Sequence, residues 1–159
     1  AQPTLEDNVL FQNSSGGIGY YDQSGGVAWR NDCSENLGGI GVSDEAQPTL
    51  EENVCNNNVA AGIAYFGASG GFAWHNQCSG NDVHGIGVFD DSEPVLEGNI
   101  LTDNNQAGIG YLGNSGGVAR QNECSGNAVG ILVTETANPE LVDNRCDESG
   151  RAGAQELGP

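Results

Sequence analysis

Lysine and methionine are absent from this chain, and positive charge is scarce: four arginines stand against 22 acidic residues, for a formal charge of −18. Phosphate backbones and anionic membrane surfaces are held by clusters of Lys and Arg, so nucleic acid is excluded as a partner class. No apolar run approaches the roughly 20 residues needed to cross a bilayer, and membrane insertion is not expected. Neither a basic nor a hydrophobic leader opens the chain. It starts in register with its own repeat and without Met, as expected of a processed product or a piece of a longer solenoid. Apolar residues never recur for long at i, i+3, i+4 and i+7, which rules out an α-solenoid.

What the chain has instead is glycine, 26 residues of it, together with many asparagines and a strict internal repeat. Pro3, Pro48, Pro94 and Pro139 are separated by 45, 46 and 45 residues, and AQPTLE at 1–6 returns at 46–51. Each such unit holds a half-period. Asn8, Asn31, Asn53, Asn76, Asn99, Asn122 and Asn144 follow one another at steps of 22 or 23, and so do Asn13, Asn36, Asn58, Asn81, Asn104 and Asn127. Repeats of this length are single supersecondary units that bury their apolar face only by stacking. The pattern predicts an all-β fold: one single-stranded, right-handed parallel β-helix of about seven rungs of 22–23 residues. The rungs open near residues 3, 26, 48, 71, 94, 117 and 139. The whole of 1–159 reads as one domain with an irregular tail over 151–159.

Within a rung, short alternating segments between turn residues read as strands. The column Leu5, Ala28, Leu50, Ala73, Leu96, Ala119, Leu141 is never polar and should face inward. Ile18, Ile40, Ile63, Ile86, Ile109 and Ile131 form a second inward column. Two residues on, Tyr20, Val42, Tyr65, Val88, Tyr111 and Val133 alternate large and small on the same face. The cysteines share a third: Leu10, Cys33, Cys55, Cys78, Leu101, Cys124, Cys146. Leucine as the substitute marks an apolar interior, so the thiols are expected to act as small buried hydrophobes. Parallel side chains are expected to suit neither disulfides nor a tetrahedral zinc site. The asparagines beside this column should bond from rung to rung, and Asn also tolerates the left-handed backbone of a sharp bend.

The pattern P-x-L-E-x-N…N…G-I-x-Y, followed by G-V-A-x-x-N-x-C-S-x-N…G-I-x-V, resembles the right-handed β-helix repeats of the pectate-lyase-like superfamily. That group includes the CASH-type domains of carbohydrate-binding proteins and sugar hydrolases, and the likeness runs from Pro3 to about Ser149. It implies the architecture and, less directly, a carbohydrate-related role, because the same repeat serves lyases, epimerases and non-enzymatic proteins. Pectate-lyase-like catalysis implies a basic residue beside calcium-binding acids, and Arg30, Arg120, Arg145 and Arg151 are the only strong bases here. The DPHE-type motif of alginate epimerases does not occur.

Ligand recognition is therefore sought on the outward columns. If Ala28 faces in, its neighbour Trp29 faces out, and the column Glu6, Trp29, Glu51, Trp74, Glu97, Arg120, Val142 follows it. Trp29 and Trp74 stand two rungs apart, about 9.6 Å by strand spacing, close to two sugar units of an extended polysaccharide. Trp29, Trp74, Glu51, Glu97 and Arg120 are thus the candidate carbohydrate-binding residues, with indoles for stacking and charged groups for hydroxyls. Tyr21, Phe66, Phe89 and Leu112, beside a nearly bare column at Gly19, Gly41, Ala64, Gly87 and Gly110, form a candidate interaction surface.

No catalytic residue and no cofactor is assigned. The acidic turns Ser43-Asp44-Glu45 and Asp90-Asp91-Ser92-Glu93 admit Ca²⁺ but lack the spacing of a calcium loop. The expected function is a non-catalytic carbohydrate-binding or structural module, extracellular or periplasmic, with polysaccharide as partner. One alternative is an interaction solenoid that self-associates through its ends. Another is a polysaccharide lyase or hydrolase, for which Glu51 and Glu97 fall within the roughly 5–9.5 Å required of paired carboxylates.

Overall fold

The computed structural model describes residues 1–134, 136–146 and 154–157, and every described element is a strand. No helix is long and apolar enough to cross a membrane among these residues. The strands pair in parallel into three sheets that run the length of a β-helix of about six turns. A seventh rung is opened by Glu140–Val142.

The first sheet stacks Thr4–Glu6, Val27–Trp29, Thr49–Glu51, Phe72–Trp74, Val95–Glu97, Val118–Arg120 and Glu140–Val142. The second is narrower. Gln77–Ser79, Ile100–Thr102 and Glu123–Ser125 pair in it, and single bridges from Val9 to Asp32, Val54 and Gln77, and from Glu123 to Arg145, extend it in both directions. The third stacks Gly16–Tyr20, Gly38–Val42, Ile63–Tyr65, Ile86–Val88, Ala107–Tyr111, Val129–Thr134 and Ala154–Leu157. This last strand lies where the sequence reading expects an irregular tail. It pairs with Ile131–Thr134 because the end of a parallel sheet offers a row of free N–H and C=O groups that any following segment can satisfy. Arg151 lies outside the described residues.

The inward columns are as expected except at their ends, where Leu5 and Leu10 are half-buried and Leu141 is exposed. Ala28, Leu50, Ala73, Leu96, the isoleucines, Tyr20, Tyr65, Tyr111 and all five cysteines are buried in one continuous core. Bulky Leu and Tyr in one rung alternate with Ala and Val in the next, which fills the interior at the density of organic crystals.

A further inward column, not recognised in the sequence, sets the width of that core. A Cβ on Gly62 would lie 2.8 Å from the carbonyl oxygens of Cys55 and Gly85 and 2.9 Å from Cys78 Cβ. Gly17 and Gly108 meet Cys33 and Cys124 in the same way, each at 2.9 Å. The third sheet therefore begins with its backbone pressed against the cysteine column. That close approach leaves no room for a side chain on the glycine wall, whether Cys or Leu101 faces it.

The asparagines hold the bends. Each ladder amide accepts at Oδ1 from both the backbone N–H and the Nδ2 of the asparagine one rung earlier, as Asn76 does from Asn53 at 2.9 and 3.0 Å. In most of them the Nδ2 also reaches a main-chain carbonyl of the preceding rung, that of Leu50 for Asn76 at 2.9 Å. The left-handed backbone expected at the asparagines sits one residue earlier, at Asp7, Arg30, Glu52, His75, Gln121 and Asp143 before the first ladder. The shift has a physical reason. The preceding residue makes the bend, which leaves the Asn N–H pointing along the stack toward the next Oδ1.

The cysteine column also departs from expectation at its end: Cys124 and Cys146 form a disulfide with a Cα–Cα separation of 4.2 Å. Parallel register brings equivalent residues of adjacent rungs within bridging range. Cys33, Cys55 and Cys78 remain buried thiols.

Candidate functional site

Strand register puts Glu6, Trp29, Glu51, Trp74, Glu97, Arg120 and Val142 side by side on the outer face of the first sheet. The proposed residues are thus brought together, but the two tryptophans are not equivalent. Arg30 lays its guanidinium on the Trp29 ring, 4.0 Å from the centroid. That cation is anchored by Asp7 at 2.8 Å and Glu6 at 3.2 Å. The Asp7 bond is the main influence holding the guanidinium pKa above its ordinary value. Trp29 Nε1 donates to Glu52 Oε2 at 3.3 Å, so the indole is pinned at its edge and covered on one face.

Trp74 is 36% exposed and stands beside Phe72, itself 48% exposed, with ring centroids 6.4 Å apart. His75 flanks Trp74 on the other side at 6.4 Å. Phe72 is the member that sequence reasoning missed. The signal was present, since a residue two before Trp74 on a strand shares its face. Arg120 donates from Nε and a terminal nitrogen to Glu97 Oε2, at 3.0 and 2.7 Å, so these two act as one charged unit. Glu51 sits between the two tryptophans in the strand register. The surface thus offers an open aromatic pair, a carboxylate next to it, and an ion pair one step further along.

On the third sheet, the predicted interaction stripe is divided. Tyr21 and Phe66, 61% and 42% exposed, flank a groove of about 340 Å³ whose floor is Gly19, Gly41 and Ala64. Phe89 is half-buried. It folds over Gly87, where an added Cβ would lie 2.5 Å from its ring, and stacks on Phe66 at 5.0 Å between centroids. Leu112 is half-buried one rung further on. His84, beside them, is buried against Phe89 and Gly110, and desolvation pulls its pKa down to about 4. Its neutral ring packs as a flat cover over the glycine backbone.

Among the described residues, no three His, Cys, Asp or Glu side chains are gathered as a metal site, the acidic turns included. The thiols of Cys33 and Cys55 are not poised for chemistry. The Cys33 thiol is pushed well up, first by its contact with Cys55 and then by burial.

The fold has solved counterparts. The periplasmic alginate epimerase AlgG superimposes with a TM-score of 0.82 at 18% identity, over 91% of this chain and 39% of that one. The Azotobacter vinelandii mannuronan C-5 epimerase AlgE4 A-module gives 0.70 at 15% identity, over 99% of this chain and 56% of its own. The chain therefore spans between about two fifths and three fifths of these proteins, and at such identity the likeness is one of fold. No curated protein matches the sequence significantly. A family model described as "Right handed beta helix region" matches residues 1–146, and with it the rung repeat, the three parallel sheets and the asparagine ladders place this chain in the right-handed β-helix family.

Proposed function

We propose that the outer face of the first sheet binds an extended polysaccharide, and that the chain is a non-catalytic recognition module acting outside the cytoplasm. The observation that carries this reading is the alignment of Trp29, Glu51, Trp74, Glu97 and Arg120 in one outward column, with the open Phe72–Trp74 pair at its centre. Aromatic faces stack on the apolar side of sugar rings, and the flanking carboxylate and guanidinium reach hydroxyls. The resemblance in fold to two epimerases whose names specify alginate and mannuronan supports carbohydrate as the ligand class.

The charge of −18 narrows it further. A polyanionic chain would be repelled unless divalent cations bridge it, so neutral or sparsely charged glycans suit the surface best. Trp74 carries the stacking, while Trp29, covered on one face by Arg30, contributes less.

The test is binding to a glycan array, followed by titration of the best ligand against Trp74→Ala and Trp29→Ala. Trp74→Ala should weaken binding at least about tenfold, on the scale of a lost stacking contact, with a smaller loss for Trp29→Ala. Failure of the parent to bind any glycan, or equal binding by Trp74→Ala, overturns the proposal. Product formation from alginate with calcium would replace it with the enzyme reading.

A further inference from the structure

The outward column of the third sheet contains a vacancy with a defined shape. Tyr21, Ser43, Phe66, Phe89 and Leu112 follow one another on successive rungs. The ladder bonds from Ser43, Phe66, Phe89 and Leu112 N–H to the carbonyls of Tyr20, Val42, Tyr65 and Val88 keep them in step. Phe66 and Phe89 show what one step means for side chains here: their rings are parallel to within 8° and 5.0 Å apart. Tyr21 and Phe66 are two steps apart, about 9.6 Å by strand spacing. The residue between them is Ser43, which has no ring.

The gap between the two aromatic residues therefore has room for one planar group with a stacking distance to each. Its floor is open, because a Cβ added at Gly41 would meet nothing within 4 Å. By contrast the floor at Gly19 is covered by the Tyr21 ring itself, with an added Cβ only 2.6 Å from Tyr21 Cε2.

The rim of the gap is negatively charged. Ser43 Oγ donates to Asp44 Oδ2 at 3.3 Å, and the same oxygen accepts from Asp22 N–H at 3.1 Å. Around the corner from the gap, Asp22, Gln23, Asp44 and Glu45 line a separate hollow, so Asp44 joins the gap to a wider acidic surface. A neutral aromatic group would fill the space between the rings but leave the charge of these carboxylates unneutralised. An ammonium would meet the carboxylates but has no plane to stack. A guanidinium does both, being planar, cationic and able to bond through its edge while its faces lie on rings. The molecule already uses this arrangement once, where Arg30 lies on Trp29 and bonds to Asp7 and Glu6.

We propose that the gap at Ser43 is a docking slot for an arginine side chain of a partner protein, stacked between Tyr21 and Phe66 with its edge toward Asp44. The chain's own charge of −18 selects for a basic partner surface and draws it in.

The experiment is an amide-shift titration of the protein with three end-blocked tripeptides, Gly-Arg-Gly, Gly-Lys-Gly and Gly-Phe-Gly. The arginine peptide should shift the Gly41 and Ser43 amides saturably, and the lysine peptide should bind at least about fivefold more weakly. Ser43→Phe closes the slot with a ring that Phe66 and Phe89 show the column accepts, and it should abolish the shifts while the rest of the spectrum is unchanged. Asp44→Asn keeps a residue that tolerates the left-handed backbone found there, at φ 60°, and should weaken the arginine peptide several-fold. The proposal fails if the arginine peptide causes no shifts, if the lysine or phenylalanine peptide binds as tightly, or if Ser43→Phe binds like the parent.

Discussion

Asn53 donates both its backbone N–H and its side-chain Nδ2 to a single atom, Oδ1 of Asn76, at 2.9 and 3.0 Å. Asn76 passes the pattern on to Asn99 and ties its own Nδ2 to the Leu50 carbonyl. All of these groups are buried, so removing one amide leaves several polar atoms without partners. Asn76→Ala should lower the unfolding free energy by about 3 kcal/mol or more, since each orphaned buried group costs about 1–3 kcal/mol. Asn8→Ala removes only a donor at an exposed position and should cost about 1 kcal/mol. Urea midpoints of the two variants measure the contrast; equal losses would mean that the ladder does not hold the bends.

Glycines that look alike in sequence should respond oppositely to alanine. At Gly62 the new Cβ would strike the carbonyl oxygens of Cys55 and Gly85 at 2.8 Å, and main chain on both sides cannot yield. Gly62→Ala is expected to cost about 1–3 kcal/mol, as overpacking does. At Gly41 the Cβ meets nothing within 4 Å, and Gly41→Ala should be neutral or stabilising by about 0.4–1 kcal/mol through the unfolded chain. Thermal unfolding of the pair decides it.

Thiol labelling follows from the sulfur column. For Cys33, contact with Cys55 and then burial raise the pKa. For Cys55, contact with Cys33 lowers it, but contact with Cys78 and burial outweigh that and hold it well above the ordinary value. A thiolate is needed for alkylation, so the native protein should take up no iodoacetamide at pH 8. Unfolding in urea should expose the three thiols, and added reductant should expose Cys124 and Cys146 as well. Rapid labelling of the native form would show that the column is open to solvent.

His84 makes stability depend on pH in a defined direction. Its folded pKa, about 4, lies below the ordinary 6.5, so between these values the unfolded chain binds more protons. No penalty operates above pH 6.5; stability is lost as pH falls from 6.5 toward 4, by about 3 kcal/mol at most at 1.36 kcal/mol per pKa unit. His84→Phe should flatten that part of the stability curve relative to the parent while leaving the carboxylate-dependent part in place. A difference curve that stays level from pH 7 to 4.5 would refute the assignment of this sensitivity to His84.

Much of this molecule is legible in its letters because it is periodic. Once Asn8, Asn31 and Asn53 are seen to recur, Leu50 must follow Ala28 and Cys55 must follow Cys33 on a neighbouring strand, and adjacent rungs fall into register. The outward column through Trp29 and Trp74 follows from the same step. Apart from the inward glycines such as Gly17, Gly62 and Gly108, what escaped is what does not repeat. Phe72 is the lone aromatic in a column of Thr, Val and Glu, and Arg30 stands where other rungs have Asp, Glu, His, Gly or Gln. The strand Ala154–Leu157 departs from the repeat, and nothing in its letters marks it as a strand.

The sequence by itself determined translation along the axis: which residues stack, which apolar columns face inward, and that an amide ladder lines each of two bends. A repeat specifies that direction because equivalent residues must meet when rungs pair in parallel. Only the tertiary structure decided the directions across the axis. Left-handed residues such as Asp7, Glu35 and Asp44 set how sharply the chain turns, and those turns bring Gly62 against Cys78, Arg30 onto Trp29, and His84 against Gly110. No spacing in the chain encodes such meetings, because they depend on the angle of each corner and the size of every side chain packed inside it.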